Sequence, residues 1–154
     1  KLIDFGFAQS FEPGESSLSR VCGTPAYMAP EVLSQAYSEK CDVWGCGIAM
    51  FELLSGRVPF KAASPWKLLA MAAKRPLRLS RPVWDGVSPP AKALLHAMLA
   101  KKPGDRPSAG EALRHEWLRG PSPEAEAEEP RGPPPGSEEI AQNLRDFTSM
   151  SHFQ

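Results

Sequence analysis

The sequence predicts a mainly α fold, and three observations carry that prediction. Serines able to cap helices, Ser38, Ser64, Ser88 and Ser108, stand ahead of stretches with helical spacing of apolar residues. From Val43 to Leu54 the chain is apolar on nearly every face except Glu52, the pattern of a helix buried at the centre of a domain. No region is strand-rich.

The elements follow in order. Residues 7–22 are polar and loop-like, with Pro13-Gly14 as a turn signal. Ser38 can cap a helix from about Glu39 to Ser55, and Gly56 fits its C-terminal stop. Ser64-Pro65 places proline in the first turn of a helix reaching about Lys74. Ser88-Pro89 repeats the device, and Leu94, Leu95, Met98 and Leu99 form one apolar face. Ser108 with Glu111 makes a capping box for a helix predicted to run to about Leu118. Residues 119–137 are rich in proline, glutamate and glycine. They cannot bury enough surface to offset ordering entropy and are predicted to be a disordered linker. Pattern returns at Glu138, where Ile140, Leu144 and Phe147 are spaced to share a helical face.

The length of 154 residues suits one domain plus a tail, and 42% hydrophobic residues supply a core. Lys+Arg 18 balances Asp+Glu 18, which argues against bulk nucleic-acid binding. No run of about 18 apolar residues indicates a membrane span. The first residues are not a signal peptide and begin inside a motif, which reads as a truncation. Cys22, Cys41 and Cys46 lack paired metal-ligand spacing, and their odd count reads as reduced thiols in an intracellular, cytoplasmic protein.

Asp4-Phe5-Gly6 is followed by Gly23-Thr24-Pro25-Ala26-Tyr27-Met28-Ala29-Pro30-Glu31. This pair, in this order and at this distance, resembles the activation segment of eukaryotic serine/threonine protein kinases. Asp42-Val43-Trp44-Gly45-Cys46-Gly47 resembles the motif that opens the family's central helix, with glycine where serine is frequent at Gly45. Lys102-Pro103-Gly104-Asp105-Arg106-Pro107 resembles a second family motif, with lysine where aspartate is common. The resemblance covers residues 1–118 and implies the helical C-lobe of a protein-kinase-like α+β fold, with the N-lobe absent. The glycine-rich loop, the ATP-anchoring lysine and the catalytic-loop aspartate and asparagine would all precede Lys1.

The resemblance also implies roles. ATP and Mg2+ would be the cofactors, with Asp4 holding the ion and Phe5 and Gly6 completing the cofactor-binding turn. Gly23, Thr24 and Pro25 would dock the protein substrate, and Thr24 would align its hydroxyl. Asp42 would accept hydrogen bonds from the catalytic-loop backbone. Glu31 would pair with Arg106 across the lobe. Glu52 would meet an arginine of a basic peptide or a structural partner within the lobe. Phe7 would favour serine as acceptor or serve only in packing. Ser16, Ser17 and Ser19, beside Glu12 and Glu15, are candidate regulatory positions.

Tyr37-Ser38-Glu39-Lys40-Cys41-Asp42, Leu54-Ser55-Gly56 and His115-Glu116-Trp117-Leu118 look like the calcium/calmodulin-regulated group. Residues 138–154, with Ile140, Leu144 and Phe147, resemble the start of the autoinhibitory junction of calcium-dependent protein kinases. That implies regulation through an intramolecular EF-hand domain. No calcium loop occurs in this chain, so Ca2+ would act only through regions outside it. A pseudokinase or scaffold lobe, and a calmodulin-branch kinase without EF-hands, remain alternatives.

Overall fold

The computed structural model describes residues 3–12, 18–79, 82–120 and 137–149, and in the last helix the side chains of residues 138–146. Six α-helices are present among these residues: α1 (Lys40–Ser55), α2 (Pro65–Lys74), α3 (Pro89–Met98), α4 (Ala109–Leu113), α5 (Glu116–Arg119) and α6 (Ser137–Ser149). Short 3-10 turns at Pro30–Ser34, Pro82–Trp84 and Pro103–Asp105 link them. Among the described residues β structure is limited to one isolated antiparallel bridge, Leu18 with Tyr37.

The cap signals translate directly. Ser64 accepts the Lys67 N–H and Ser88 accepts the Ala91 N–H, each ahead of proline in the first turn. Gly56 ends α1 at φ 69°, a left-handed geometry that suits glycine, with its N–H on the Glu52 carbonyl. The start of α1 differs from expectation. Glu39 holds the N-cap position without a side-chain cap, and Ser38 Oγ accepts only a long 3.4 Å bond from the Lys40 N–H.

The single helix expected from Ser108 to Leu118 is two. The capping box at Ser108 and Glu111 opens α4, which stops at Leu113. His115 then turns extended and recaps, its Nδ1 accepting the Trp117 N–H at 3.3 Å to start α5. A side chain able to accept the free N–H groups of a new helix lets the chain change direction there.

The core forms around α1. Trp44, Ile48 and Phe51 are buried on it, Leu95 on α3, and Trp84 between. Trp44 stacks on Phe60 and Phe51 meets Trp84. The expectation that α1 is covered on all sides is too broad. Asp42 and Cys46 are exposed on one face. At its other end α1 receives α6: Ile140 packs on the main core, and Asn143 lies against Gly56.

Candidate functional site

The exposed face of α1 forms the floor of a groove of about 640 Å³. Asp4, Phe7, Gly23, Thr24 and Asp42 all line it, so residues far apart in sequence meet at one opening. Asp4 adopts φ 61°, a region tolerated by aspartate, and its Oδ1 accepts the Gly6 N–H at 3.2 Å. That bond folds Asp4-Phe5-Gly6 into a tight turn with the acid exposed. Gly23 takes φ 102°, a conformation costly for any side chain bearing a Cβ. The turn that follows is closed by the Tyr27 N–H on the Thr24 carbonyl and the Met28 N–H on the Pro25 carbonyl. Thr24 is exposed on this turn.

Beneath the groove the segment is clasped to the helical body. Arg106 is 2% exposed and uses its guanidinium fully. Nη1 and Nη2 donate to the two carboxylate oxygens of Glu31, a bidentate pair. Nε donates to the Ala100 carbonyl at 2.8 Å, and Nη1 and Nη2 also reach the Lys40 and Lys101 carbonyls. The plane lies 4.9 Å from the Trp44 ring centroid. Lysine could not reproduce this planar fork. A second tie runs through Tyr37, which donates to the Arg20 carbonyl beside the Leu18–Tyr37 bridge.

Glu52, open to two readings in sequence, has a structural partner: the Tyr27 hydroxyl donates to its Oε2. Burial first, then this carboxylate, pushes the Tyr27 hydroxyl up to about 12. The pair ties the turn at Thr24–Met28 to α1. Burial and the Asp42 charge push the Cys41 thiol up to about 12 and raise Cys46 as well. Both thiols therefore stay protonated and poorly nucleophilic. Among the described residues Asp42 itself accepts only the Cys41 thiol, at 3.6 Å, leaving carboxylate capacity toward the groove.

The positions expected from the sequence to be regulatory divide. Ser16, Ser17 and Glu15 lie outside the described residues, while Glu12 and Ser19 are exposed. Ile140 packs inward, Leu144 is 45% exposed, and the Phe147 side chain lies outside the described residues. Sequence reasoning missed three contributors. Tyr27 stood only as motif context, although a hydroxyl four residues before the Glu31 carboxylate could have been asked for a partner. Asn143 sits in the α6–α1 contact, where polarity hid it. Lys101 presents its amine to the faces of Phe60 and Trp44, at 4.4 and 5.1 Å from their centroids.

Among the described residues no cluster of three metal-ligating side chains exists. Asp4, Glu39 and Asp42 bring carboxylates to the groove, and Asp4 is exposed on its own turn, apart from the two on the start of α1. That fits magnesium, which binds through one or two carboxylates and takes its other ligands from phosphate and water.

Residues 1–118 match the family model for the protein kinase domain. The chain belongs to the protein kinase family. It is 44% identical over 118 residues to serine/threonine-protein kinase PEPKR2 of Arabidopsis thaliana, covering 77% of this chain and 25% of that protein. It is 42% identical over 123 residues to serine/threonine-protein kinase 33 of Mus musculus, covering 78% of this chain and 25% of that protein. Calcium-dependent protein kinase 22 of Oryza sativa subsp. japonica is 36% identical across 100% of this chain and 25% of its own length. The chain thus spans about a quarter of the curated relatives it matches. No helix among the described residues is long and apolar enough to cross a membrane.

Proposed function

We propose that this chain supplies the activation segment and helical lobe of a serine/threonine protein kinase, which transfers the γ-phosphoryl group of ATP to protein serine or threonine. The observation that carries the reading is the meeting of Asp4, Thr24 and Asp42 at one groove. Asp4 would hold Mg2+, whose charge offsets that of the phosphoryl oxygens. Thr24, exposed on its turn, would orient the acceptor hydroxyl. Asp42, with carboxylate capacity to spare, would brace the backbone of a catalytic loop. Gly23 and Pro25 would shape the turn against the peptide, and Phe5 and Gly6 would set the Asp4 geometry. Phe7, exposed at the groove, would contact the residue bearing the acceptor hydroxyl. Protein substrates in a basic context are the notional partners, met through Glu52, which already carries the Tyr27 hydroxyl and so offers one free oxygen to an arginine.

Calcium-dependent regulation is the finer reading. A match to a calcium-dependent protein kinase that runs through the tail supports it, as does the packing of α6 on α1. From Asp42 to Gly56 the helix rises about 21 Å, at about 1.5 Å per residue. α6 would therefore act at a distance from the groove, by positioning the regulatory region C-terminal to it. Residues 119–137 would be its tether, with residues 1–118 and 138–154 as separate units.

The test uses the protein that carries this chain. Asp4→Ala should lower phosphoryl transfer to a serine peptide by at least about 100-fold, a scale appropriate to loss of an electrostatic stabiliser. Retained activity would overturn the assignment. Ile140→Asp should raise activity measured without calcium, and unchanged basal activity would remove the regulatory reading. The isolated 154 residues contain no phosphate-covering loop and no proton-accepting catalytic aspartate. Incubated alone with labelled ATP and magnesium, they should transfer no phosphate.

A further inference from the structure

A second cavity, of about 700 Å³, lies where the chain leaves α1 and where it leaves α2. Arg57, Lys61, Arg75 and Arg78 all line it, and no carboxylate does. Among the described residues none of the four is in an ion pair. Lys61, Arg75 and Arg78 are exposed. Phe60 and Leu77 give the same cavity an apolar wall. The whole chain carries equal numbers of basic and acidic residues, Lys+Arg 18 against Asp+Glu 18, so this concentration is local rather than a general basicity. Four like charges around one cleft repel each other, and low-dielectric walls focus their field on an incoming anion. Three of them are guanidinium groups, whose planar donors match carboxylate and phosphoryl oxygens in pairs.

The cleft and the groove are set along the same helix, α1. Phe51 lines the cleft, and its neighbour Glu52 holds the Tyr27 that lines the groove. The groove thus meets α1 at Cys41, Asp42, Gly45 and Cys46, and the cleft meets the same helix further along, at Phe51. We infer that this cleft is an exosite for an acidic segment of the protein substrate, bearing clustered carboxylate or phosphoryl groups several residues from the acceptor hydroxyl. The inference rests on the kinase reading above for its purpose, not for its binding chemistry. An extended peptide advances about 3.3 Å per residue, so a segment of about five residues bridges roughly 16 Å. Recognition of both ends gives the substrate two weak attachments in one chain, which raises its effective concentration at the groove.

Binding is tested without catalysis. The 154-residue chain is titrated into a fluorescein-labelled 12-residue peptide carrying four glutamates, into its phosphoserine counterpart and into its lysine counterpart, with anisotropy as the readout. The acidic peptides should bind at least tenfold more tightly than the lysine peptide, and more weakly as salt rises. The double variant Arg75→Glu with Arg78→Glu should lose at least tenfold in affinity for them. Its far-ultraviolet circular dichroism should be unchanged, because both side chains are exposed. Full affinity of the double variant for the acidic peptides would overturn the proposal. So would tighter binding of a single-stranded oligonucleotide.

A third arm separates substrate from self. Residues 121–136 include Glu124, Glu126, Glu128 and Glu129. Converting all four to glutamine should leave the peptide affinity within about twofold. A tenfold rise would assign the cleft to this chain's own acidic run and refute the substrate role. In the protein that carries the chain, the double variant should raise KM for an acidic-tailed serine substrate about tenfold with kcat unchanged. Peptide binding without any phosphoryl transfer would instead refute the kinase reading and leave the binding chemistry standing.

Discussion

Gly45 and Gly47 lie two residues apart on α1, yet they report two different surroundings. A Cβ added at Gly45 would meet only the Tyr27 carbonyl oxygen, at 3.5 Å, an ordinary contact. One added at Gly47 would meet Leu99 at 2.9 Å and Met98 at 3.1 Å. The Gly47 face is closed by α3, and helix and helix-end touch almost backbone to side chain. The Gly45 face, with Asp42 and Cys46, borders the groove. One helix therefore carries two kinds of surface: a face closed by α3 at Gly47, and a face left open to the groove at Asp42 and Cys46.

The largest test of that division attacks the clasp beneath the groove. Arg106→Ala strands the largely buried Glu31 carboxylate and leaves the Ala100 carbonyl without its 2.8 Å donor. Removal of one partner from such a pair costs about 3–5 kcal/mol. Glu31→Ala should cost a similar amount, and the double variant much less than the sum, because coupled partners do not add. Denaturant midpoints for the three variants check this. Fully additive losses would mean that the activation segment is held by something other than the pair.

The glycine pair gives a smaller and sharper comparison. Replacing either by alanine lowers the entropy of the unfolded chain and improves helix propensity, a gain of about 0.5–1 kcal/mol. At Gly45 nothing opposes that gain, so Gly45→Ala should stabilise. At Gly47 the added methyl overlaps α3, and overpacking of about 1–3 kcal/mol outweighs it. Thermal unfolding of the two variants should shift in opposite directions. Shifts of the same sign would erase the distinction between the faces.

The division is half legible in the sequence. The caps at Ser64, Ser88 and Ser108, the proline-led helices and the Glu31–Arg106 pair are readable, because each rests on local chemistry or a strong motif; the cap expected at Ser38 is not made. The open face is not. Gly45 and Cys46 count as neutral or apolar in a periodicity, so α1 reads as covered all round, while the structure exposes Cys46 beside Asp42. The break between α4 and α5 is hidden for the opposite reason. Apolar spacing continues through His115, and only the side-chain cap on the Trp117 N–H reveals the turn. At the groove, motifs point to Asp4, Thr24 and Asp42, but their meeting needs the fold. Tyr27 and Lys101 escape a sequence reading because their partners, Glu52 and the Trp44 and Phe60 rings, are distant in sequence.

Lys101 provides the finest probe of the closed face. Its Nζ is buried without a hydrogen-bond partner among the described residues, against the rings of Phe60 and Trp44. Burial, and secondarily the Arg106 charge, push its amine down from 10.5 to about 8. The sign of the stability effect comes from proton counts. Between pH of about 8 and 10.5 the unfolded chain keeps a proton that the folded chain has released. Stability from this group therefore rises with pH across that window. Tyr27 and Cys41, raised to about 12, act oppositely, because the folded chain keeps their protons longer. Their influence begins near the ordinary values of 10.0 and 9.0, so the lower part of the window belongs mainly to Lys101. Lys101→Met keeps the stem packed on the rings and removes the titration. The difference in unfolding free energy between the parent chain and Lys101→Met, followed from pH 7 to 10 by urea titration, should swing in favour of the parent as pH rises. A flat difference would show that the amine reaches water and that the closed face is looser at Trp44 than its packing implies.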